Sequence, residues 1–553
     1  MDPDAASAHI LHTFEDKWHC KNAERFQRIL ELPASFPGLD FESMEITFDD
    51  IDIAFRCMKR LSRVDAHGVS RAALYMVFQQ QPDSFIVWFR RYITSIFNLR
   101  RSTCLARAYG KESTSTRASD VRMIIPLSSA LDVADALLQR KINDVIDEFF
   151  EPMREQSVRE CARPYTQLLE ITHSTVFAVE KILDNKSVGT VAQMDVQKHF
   201  DSVDLLAVFR WLLAAGFTPE WAVVAIWIQL LPRITFKVLN VECALTSRST
   251  GSLTGSRVAS AMARVPILDL IYSNVKQLLP HALSIGSWCA LCATYVDNIV
   301  FLLSSIESVP VVSSICESYL SQKWGQTIKP SSKQALLFKG TCAPQARDWE
   351  FCSSMRVLGI MVSVSGSTAS DYAKVTRALW SSFWANAGAT AARALSVDRK
   401  LLLLKSATEV HLNGHVQSWL WIVTRAKDLD SIQKKMLKII LHRKLGSQSR
   451  CTDLHEQCVQ RARTVKQVQH QQGRWSTLWV RRAHKWRQHC LRHTDNAWTG
   501  GVHLALDQEE LEIRRALSLT NRPFTRNASG WIFKRLSESY ADLEHEYEMR
   551  KSE

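Results

Sequence analysis

Two aspartates about a hundred residues apart stand beside apolar runs: Asp195 in "TVAQMDV" (190–196) and Asp297 between "WCALCATYV" and "IVFLL". Carboxylates at the ends of adjacent strands converge on a sheet edge without being buried. That is where phosphoryl transfer needs them: one divalent ion activates an attacking hydroxyl and a second, roughly 3.5 to 4 Å away, stabilises the leaving oxygen. Taken singly, Asp195 is equally explained as a helix cap and Asp297 as a turn former. Their ordered context is what argues for a pair. Asn298 follows Asp297; its amide is neutral and a poorer magnesium ligand than a carboxylate.

The elements that must position these groups follow from pattern. "TVAQMDV" is β-branched and apolar and runs into "QKHFDSVDLLAVFRWLLAAGF", a helix for Asp201 or Ser202 to cap and Gly216 to close. The two apolar runs around Asp297 and Asn298 predict a hairpin with those two residues as its connection. Upstream, Thr47 and the acids after it mark a helix start, and 71–185 reads as mostly helical with one short strand in "DVRMIIPLS". After the hairpin come a helix stopped by Gly325 and the strand-like "ALLFKG" and "RVLGIMVS". The expectation is an α+β layout, helices on one face of a small antiparallel sheet. Beyond about residue 366 only helices are expected, one placing Leu429, Ile432, Met436 and Ile439 on one face and Lys434, Lys435 and Lys438 on another.

Composition sets the frame. At 553 residues, 46% hydrophobic and 23% charged, the chain can form several subdomains and is not disordered or fibrous. Its net charge of +13 is concentrated: residues 421–500 hold 17 Lys/Arg against five Asp/Glu, Arg481 and Arg482 among them, interleaved with Trp475, Trp479, Trp486 and Trp498. Such a block reads as a polyanion-binding surface, although any single cation is as well explained by a solvated helix face. The tryptophans at offsets of 4 and 11 share a helical face, better read as core than as a base-stacking platform. The opening "MDPDAASAH" lacks the pattern of a secretory signal, and "LLAAGFTPEWAVVAIWIQLL" (212–231) is broken by Gly216, Pro219 and Glu220, so no membrane span is expected. The 13 cysteines fit a reduced intracellular protein, nuclear or cytoplasmic, and "CTDLHEQC" with "HCLRH" has no standard zinc spacing.

On these motifs the sequence resembles the reverse transcriptases of non-LTR retrotransposons. "MDVQKHFDSVD" resembles the family's first palm motif, with Asp195, Phe200 and Asp201; "YVDN" resembles its Tyr-x-Asp-Asp box; "KPSSKQALLF" its lysine-bearing segment; and "VLGIMVS" its Leu-Gly primer-grip strand. "LSRVDAHGVS" matches the finger-region pattern imperfectly, and "VRMIIPLSSALDVADALLQRKI" is similar to the Arg-Pro-Ile segment, with Arg122 in the arginine position. With the imperfect match set aside, five weak matches in order are together specific. The resemblance implies a right-hand polymerase: a helical lead-in (1–44), fingers and palm (45–365), a helical thumb (366–445) and a basic, Trp-containing helical C-terminal extension (446–553).

It further implies RNA-directed DNA synthesis from deoxynucleoside triphosphates on an RNA template and DNA primer, with two Mg2+ or Mn2+ ions on Asp195 and Asp297. Phe200 would lie under the sugar and exclude a 2′-hydroxyl, and Arg122, Arg257 and Lys333 would serve the nucleotide. A core aromatic and solvated charges are the plainer readings of Phe200, Arg122 and Lys333. Lys434, Lys435, Lys438, Arg481 and Arg482 would grip nucleic acid. Target cleavage would fall to a separate endonuclease or a pre-existing nick. Three departures stand out: Asn298; Arg257-Val258-Ala259 where the family has Arg-Gln-Gly, so that an amide is lost; and His199 in place of an alanine. The contrasting expectation is a catalytically degenerate, RNA-binding scaffold of the same fold.

Overall fold

The computed structural model describes residues 23–492, 498 and 542–551, except 37, 59–63, 66, 111–120, 163–165, 186–188, 239–240, 246–250, 287, 340, 343, 345, 347, 366–367, 443–450 and 493–497; at 23, 25, 108–110, 121–123, 184–185, 236–238, 241–245, 442, 451–457 and 491 it describes the backbone alone. Residues 1–22 of the helical lead-in lie outside the described residues; its remainder holds a helix, Ala23–Leu30.

Strands appear in chain order as β1 (Thr103–Gly110), β2 (Val121–Ile124), β3 (Val158–Glu160), β4 (Thr190–Asp195), β5 (Arg233–Val238), β6 (Val241–Leu245), β7 (Leu283–Ile285), β8 (Trp288–Ala290), β9 (Cys292–Tyr295), β10 (Asn298–Leu303), β11 (Gln334–Leu336), β12 (Glu350–Cys352), β13 (Ser354–Val357) and β14 (Ile360–Ser363). They build a six-stranded sheet in the order β12-β11-β4-β10-β9-β3, a four-stranded sheet β2-β1-β5-β6, and two hairpins, β7–β8 and β13–β14. The four-stranded sheet corrects the expectation of one small sheet. Its β1 lies in "TCLARAYG", which offers neither clean alternation nor a β-branched run, and it forms by parallel pairing with β5, 130 residues downstream.

The six-stranded sheet is buried on both faces. Along β10, Ile299, Phe301 and Leu303 enter the core shared with the helices Ser129–Phe150, Leu205–Ala214, Pro219–Leu230, Arg257–Leu278 and Ser308–Trp324. The alternate residues Val300 and Leu302 enter a second core with Phe177 and Val179 of the helix Leu168–Asn185 and with Met355, Val357, Ile360 and Val362 of the β13–β14 hairpin. Period-two alternation therefore feeds two different cores, so helices cover both faces instead of the one expected.

A third core gathers the helices Ala369–Ala385, Val423–His442, Cys451–Gln472 and Trp475–Arg492, with Leu543. Leu429, Ile432 and Met436 lie in it with Ile439 packed against it, as the helical spacing predicts. Trp475 and Trp479 are among its residues, and Trp498 is buried in the second core, where its carbonyl accepts the Trp288 indole N–H at 3.1 Å. The 445/446 boundary therefore runs through a single core. The C-terminal helices complete the preceding helical layer instead of extending from it.

Candidate active site

β4 and β10 run antiparallel with Asp195 opposite Asn298, and the Val196 N–H donates to the Asp297 carbonyl at 3.1 Å. Because the 196/297 step carries the hydrogen bond, 195/298 is the non-hydrogen-bonded pair, where opposed Cα atoms stand about 4.5 Å apart and side chains are closest. Asp195 and Asn298 share the parity of Val191, Val300 and Leu302, so both project on the face covered by the 168–185 helix and the β13–β14 hairpin. All three of Asp195, Asp297 and Asn298 are half-buried. The ladder places the backbones of Asp195 and Asp297 one step apart across two neighbouring strands.

The connection itself differs by one residue from expectation. Tyr295 pairs with Asn298, so the hairpin turns on Val296 and Asp297, not on Asp297 and Asn298. Val296 takes φ +59°, a conformation disfavoured for a β-branched residue, and it fixes Asp297 at the tip. On the other side, the segment after the Ser308–Trp324 helix fastens the end of β4. The Lys329 N–H donates to the Asp195 carbonyl at 2.8 Å, the Asp195 N–H to Ser332 Oγ at 2.9 Å, and the Gln197 N–H to the Thr327 carbonyl at 2.8 Å.

Beyond β4 the chain makes one helical turn, His199–Ser202, entered through Lys198 at φ +49°. The longer helix restarts at Leu205, and its cap is Asp204, which accepts from the Leu206 and Ala207 N–H groups. Neither Asp201 nor Ser202 caps it, because Val203 is extended between the two. Phe200 is half-buried, and its carbonyl accepts the Ser252 N–H at 2.7 Å. Gly251, at φ +77°, lies so close to this turn that a Cβ would stand 2.8 Å from the Asp201 carbonyl oxygen. Glycine is required there.

His199 is buried, with Nε2 2.7 Å from the Ala263 carbonyl and Nδ1 accepting from Gln326 Nε2 at 3.2 Å. Burial holds its pKa below the ordinary imidazole range, against the opposing pull of that carbonyl and the Asp297 charge. It is a neutral strut between the β4 turn and the 257–278 helix. This accounts for the histidine at a position where an alanine would make neither bond.

Arg257 is not an unengaged cation. Its Nη1 is 2.8 Å from Asp132 Oδ1, and Asp132 also pairs with buried Arg71. Val258 and Ala259 are fully buried. Buried Gln229 donates from Nε2 to Ser256 Oγ at 2.9 Å and accepts the Leu253 N–H at 2.9 Å. Asp135, also fully buried, accepts from Ser256 Oγ and from the Arg257 and Val258 N–H groups, the last two at 2.6 and 3.1 Å. Neither Asp135 nor Gln229 is singled out by sequence motif. For Gln229 the signal is one polar side chain in the otherwise apolar run from Trp221 to Leu230, which must find a partner when buried; the helix of Asp135 is polar along much of its length and offers none.

Lys333 requires a correction. It is 4% exposed, and its ammonium sits between Glu317, at 2.7 Å, and Asp348, an ion pair tying the 308–324 helix to the segment before β12. Burial opposes the charge, but the two carboxylates outweigh it and raise its pKa. It is committed to holding the fold, so it is not available to a triphosphate. Lys329, four residues earlier in the same "KPSSK" segment, is exposed and bonded through its backbone to Asp195. Arg122 lies in β2 opposite Tyr109, and its side chain lies outside the described residues. β2 leads directly to this site, since the Ile125 N–H donates to the Thr254 carbonyl at 2.8 Å.

Of the basic residues, Lys434, Lys435, Lys438 and Arg481 are exposed, whereas Arg482 is half-buried and hydrogen-bonded to Asn413. Lys405, His470, Arg474, Arg481 and Arg482, with Glu409, line an open hollow of about 270 Å3. Trp475, Trp479 and Trp486 are buried, in keeping with core and not stacking roles.

The acidic edge carries oxygen donors of the type a divalent cation would take. Hard cations take oxygen ligands, and beside the two carboxylates the Asn298 Oδ1 is buried without a hydrogen-bond partner. Among the described residues no group of three or more His, Cys, Asp or Glu side chains is placed to hold a metal. No helix among the described residues is long and apolar enough to cross a membrane.

No family model and no curated protein matches the chain. Among solved structures it is similar to apo telomerase from Candida tropicalis truncated from its C-terminal domain, with 11% identity over 48% of this chain and 53% of that one at a TM-score of 0.32. It is also similar to telomerase from Candida albicans in complex with a TWJ fragment of telomeric RNA, with 8% identity over 78% of this chain and 68% of that one at a TM-score of 0.36. The chain spans about half the length of the first. Likenesses of this depth carry no part of the reading below.

Proposed function

We propose that the chain is a nucleotidyl transferase of reverse-transcriptase type, extending a primer 3′-hydroxyl with deoxynucleotides on an RNA template, as in non-LTR retrotransposons. The observation that carries this reading is the β4–β10 ladder: Asp195 opposite Asn298 and Asp297 one step further, at the tip of a two-residue turn. Two carboxylates on neighbouring strands are the minimal holder for a pair of magnesium or manganese ions, which when bound lower the barrier to attack and stabilise the departing pyrophosphate.

The chain's own residues supply the rest. Phe200, fixed through its carbonyl to Ser252, is the side chain that meets the sugar and disfavours a 2′-hydroxyl. Lys329, in place of Lys333, is the exposed cation beside Asp195 and the proton donor or charge partner for pyrophosphate. Arg257 stiffens the pocket wall through Asp132 instead of binding phosphate directly. In this reading the two sheets and their helices are palm and fingers, and the helices after 369 are the thumb, whose Lys434, Lys435, Lys438 and Arg481 meet template–primer phosphates.

Primer extension on an RNA template, in magnesium and then in manganese, tests the proposal. Asp195→Asn is expected to lower extension by at least about a hundredfold, with RNA binding intact, and Asn298→Asp to raise it in magnesium. Salt-sensitive RNA binding by a wild-type chain that extends no primer with either metal would overturn the enzyme and leave the scaffold, the reading that neutral Asn298 favours.

A further inference from the structure

Between the helices Ser129–Phe150 and Arg257–Leu278 runs a continuous buried chain of hydrogen bonds. The Leu253 N–H donates to Gln229 Oε1, Gln229 Nε2 to Ser256 Oγ, and Ser256 Oγ to Asp135. Asp135 also takes the Arg257 and Val258 N–H groups, and Ser256 Oγ takes the Ala259 N–H at 3.1 Å. One carboxylate from a distant helix thus closes the N-terminus of the 257–278 helix, while one amide from a third helix fixes the loop entering it. None of these bonds is made to Asp195, Asp297 or Asn298.

Its reach to the site is through the loop. Held at Leu253 and Ser256, the segment presents the Ser252 N–H to the Phe200 carbonyl and the Gly251 N–H to the Val203 carbonyl, at 2.7 and 3.2 Å. It accepts the Ile125 N–H on its other side, and a Cβ at Gly255 would already stand 3.0 Å from Ile124. The loop is therefore wedged between the strand bearing Arg122 and the turn bearing Phe200, with no slack in either direction. Displacing it displaces both.

We infer that Asp135 is a positioning residue: with Ser256 and Gln229 it sets the 251–258 segment, and through it Phe200, at the height a deoxynucleoside triphosphate requires. This rests on the polymerase reading and extends it to a nucleotide-affinity control lying outside the metal site. Burial raises the Asp135 carboxyl from its ordinary value to about 6, against the three donors that favour its ionised form. The charged groups around it are Asp132 on its own helix, Arg257 on the 257–278 helix and, through Asp132, Arg71 on the Arg71–Gln80 helix; the Pro219–Leu230 helix contributes the neutral Gln229. As pH falls through about 6 the carboxylate takes up a proton, can no longer accept all three bonds, and the loop loosens.

The test is steady-state primer extension by the full-length chain, with the deoxynucleotide concentration varied between pH 5 and 8. Asp135→Asn keeps the shape and removes the charge. It is expected to raise KM for the deoxynucleotide about tenfold, equal to about 1.4 kcal/mol, with kcat within about twofold, and to abolish the rise in KM that the wild-type chain shows below pH 6. Ser256→Ala should act in the same direction and Ser256→Thr, which keeps the hydroxyl, should restore KM; Gln229→Leu serves if Asp135→Asn does not fold. Unchanged KM and an unchanged pH profile in folded Asp135→Asn would overturn the inference, as would equal losses in kcat and KM that simply track a lowered unfolding midpoint. A wild-type chain that extends no primer is a separate failure, that of the polymerase reading, and shows before any variant is made.

Discussion

The two sides of the candidate site are held by different means. Asp195, Asp297 and Asn298 owe their placement to backbone: a ladder register, a two-residue turn, and main-chain bonds from residues 327–332. The 251–258 segment owes its placement to buried side chains from two other helices, Asp135 and Gln229, which meet its own Ser256. A ladder tolerates substitution of the side chains it carries, because its bonds belong to no particular residue type. A buried polar network does not, because removing one partner strands the others. The acidic edge should therefore lose chemistry without stability when mutated, and the helix junction should lose stability or affinity.

The sharpest break comes at Arg264, in the middle of the same helix junction. It is 3% exposed, and it pairs with Glu160, hydrogen-bonds Asn143 and reaches Asp147 at 3.3 Å. Removing one member of such a cluster leaves buried charge uncompensated, at about 3 to 5 kcal/mol. Arg264→Met is expected to lower the midpoint of the first cooperative transition in urea by that equivalent, whereas Asp195→Asn leaves it within about 0.5 kcal/mol. Equal effects would erase the contrast between the two sides.

A smaller effect separates the sides by pH. In the unfolded chain Asp135 titrates near its ordinary value of 3.8 and in the folded chain near 6. Between these values the folded chain holds a proton that the unfolded chain has released, so this group's contribution to stability is full below about 4 and falls as pH rises through about 6. The total is about 3 kcal/mol. Measured as the difference between wild type and Asp135→Asn across pH 4 to 7, wild type should lose ground steadily as pH rises. A flat difference would mean that the carboxyl is not desolvated as its burial indicates.

How much of this was legible in the sequence follows the same division. The strand bearing Asp195, the hairpin bearing Asp297 and the helix faces of Leu429, Ile432 and Met436 came from local periodicity, and the structure keeps them. The turn was misplaced by one residue because a positive φ at Val296 is not something valine announces. β1 was missed because it depends on pairing with β5. The two lysines of "KPSSK" look alike in sequence; only the fold assigns Lys333 to Glu317 and Asp348 and leaves Lys329 exposed beside the Asp195 backbone. Asp135 and Gln229 act across 121 and 27 residues on Ser256, a range at which no spacing argument operates.

The smallest predicted effect probes the backbone side itself. Val296 holds a left-handed conformation at the hairpin tip, a strain of about 1 to 3 kcal/mol, on a residue whose side chain is not part of the ladder. Glycine would remove the strain but give back about 0.5 to 1 kcal/mol in unfolded-chain entropy together with the packing of the part-buried Val296 side chain against the first core, so Val296→Gly should be at most about 1 kcal/mol more stable. If the valine's stiffness is what fixes Asp297, the same variant should lose a few-fold in kcat while deoxynucleotide KM, set on the other side of the candidate site, stays put. Urea denaturation and primer extension on one preparation read both quantities. A variant more stable and fully active would show that the ladder alone holds the aspartate, and a rise in KM would show that the two sides are not independent.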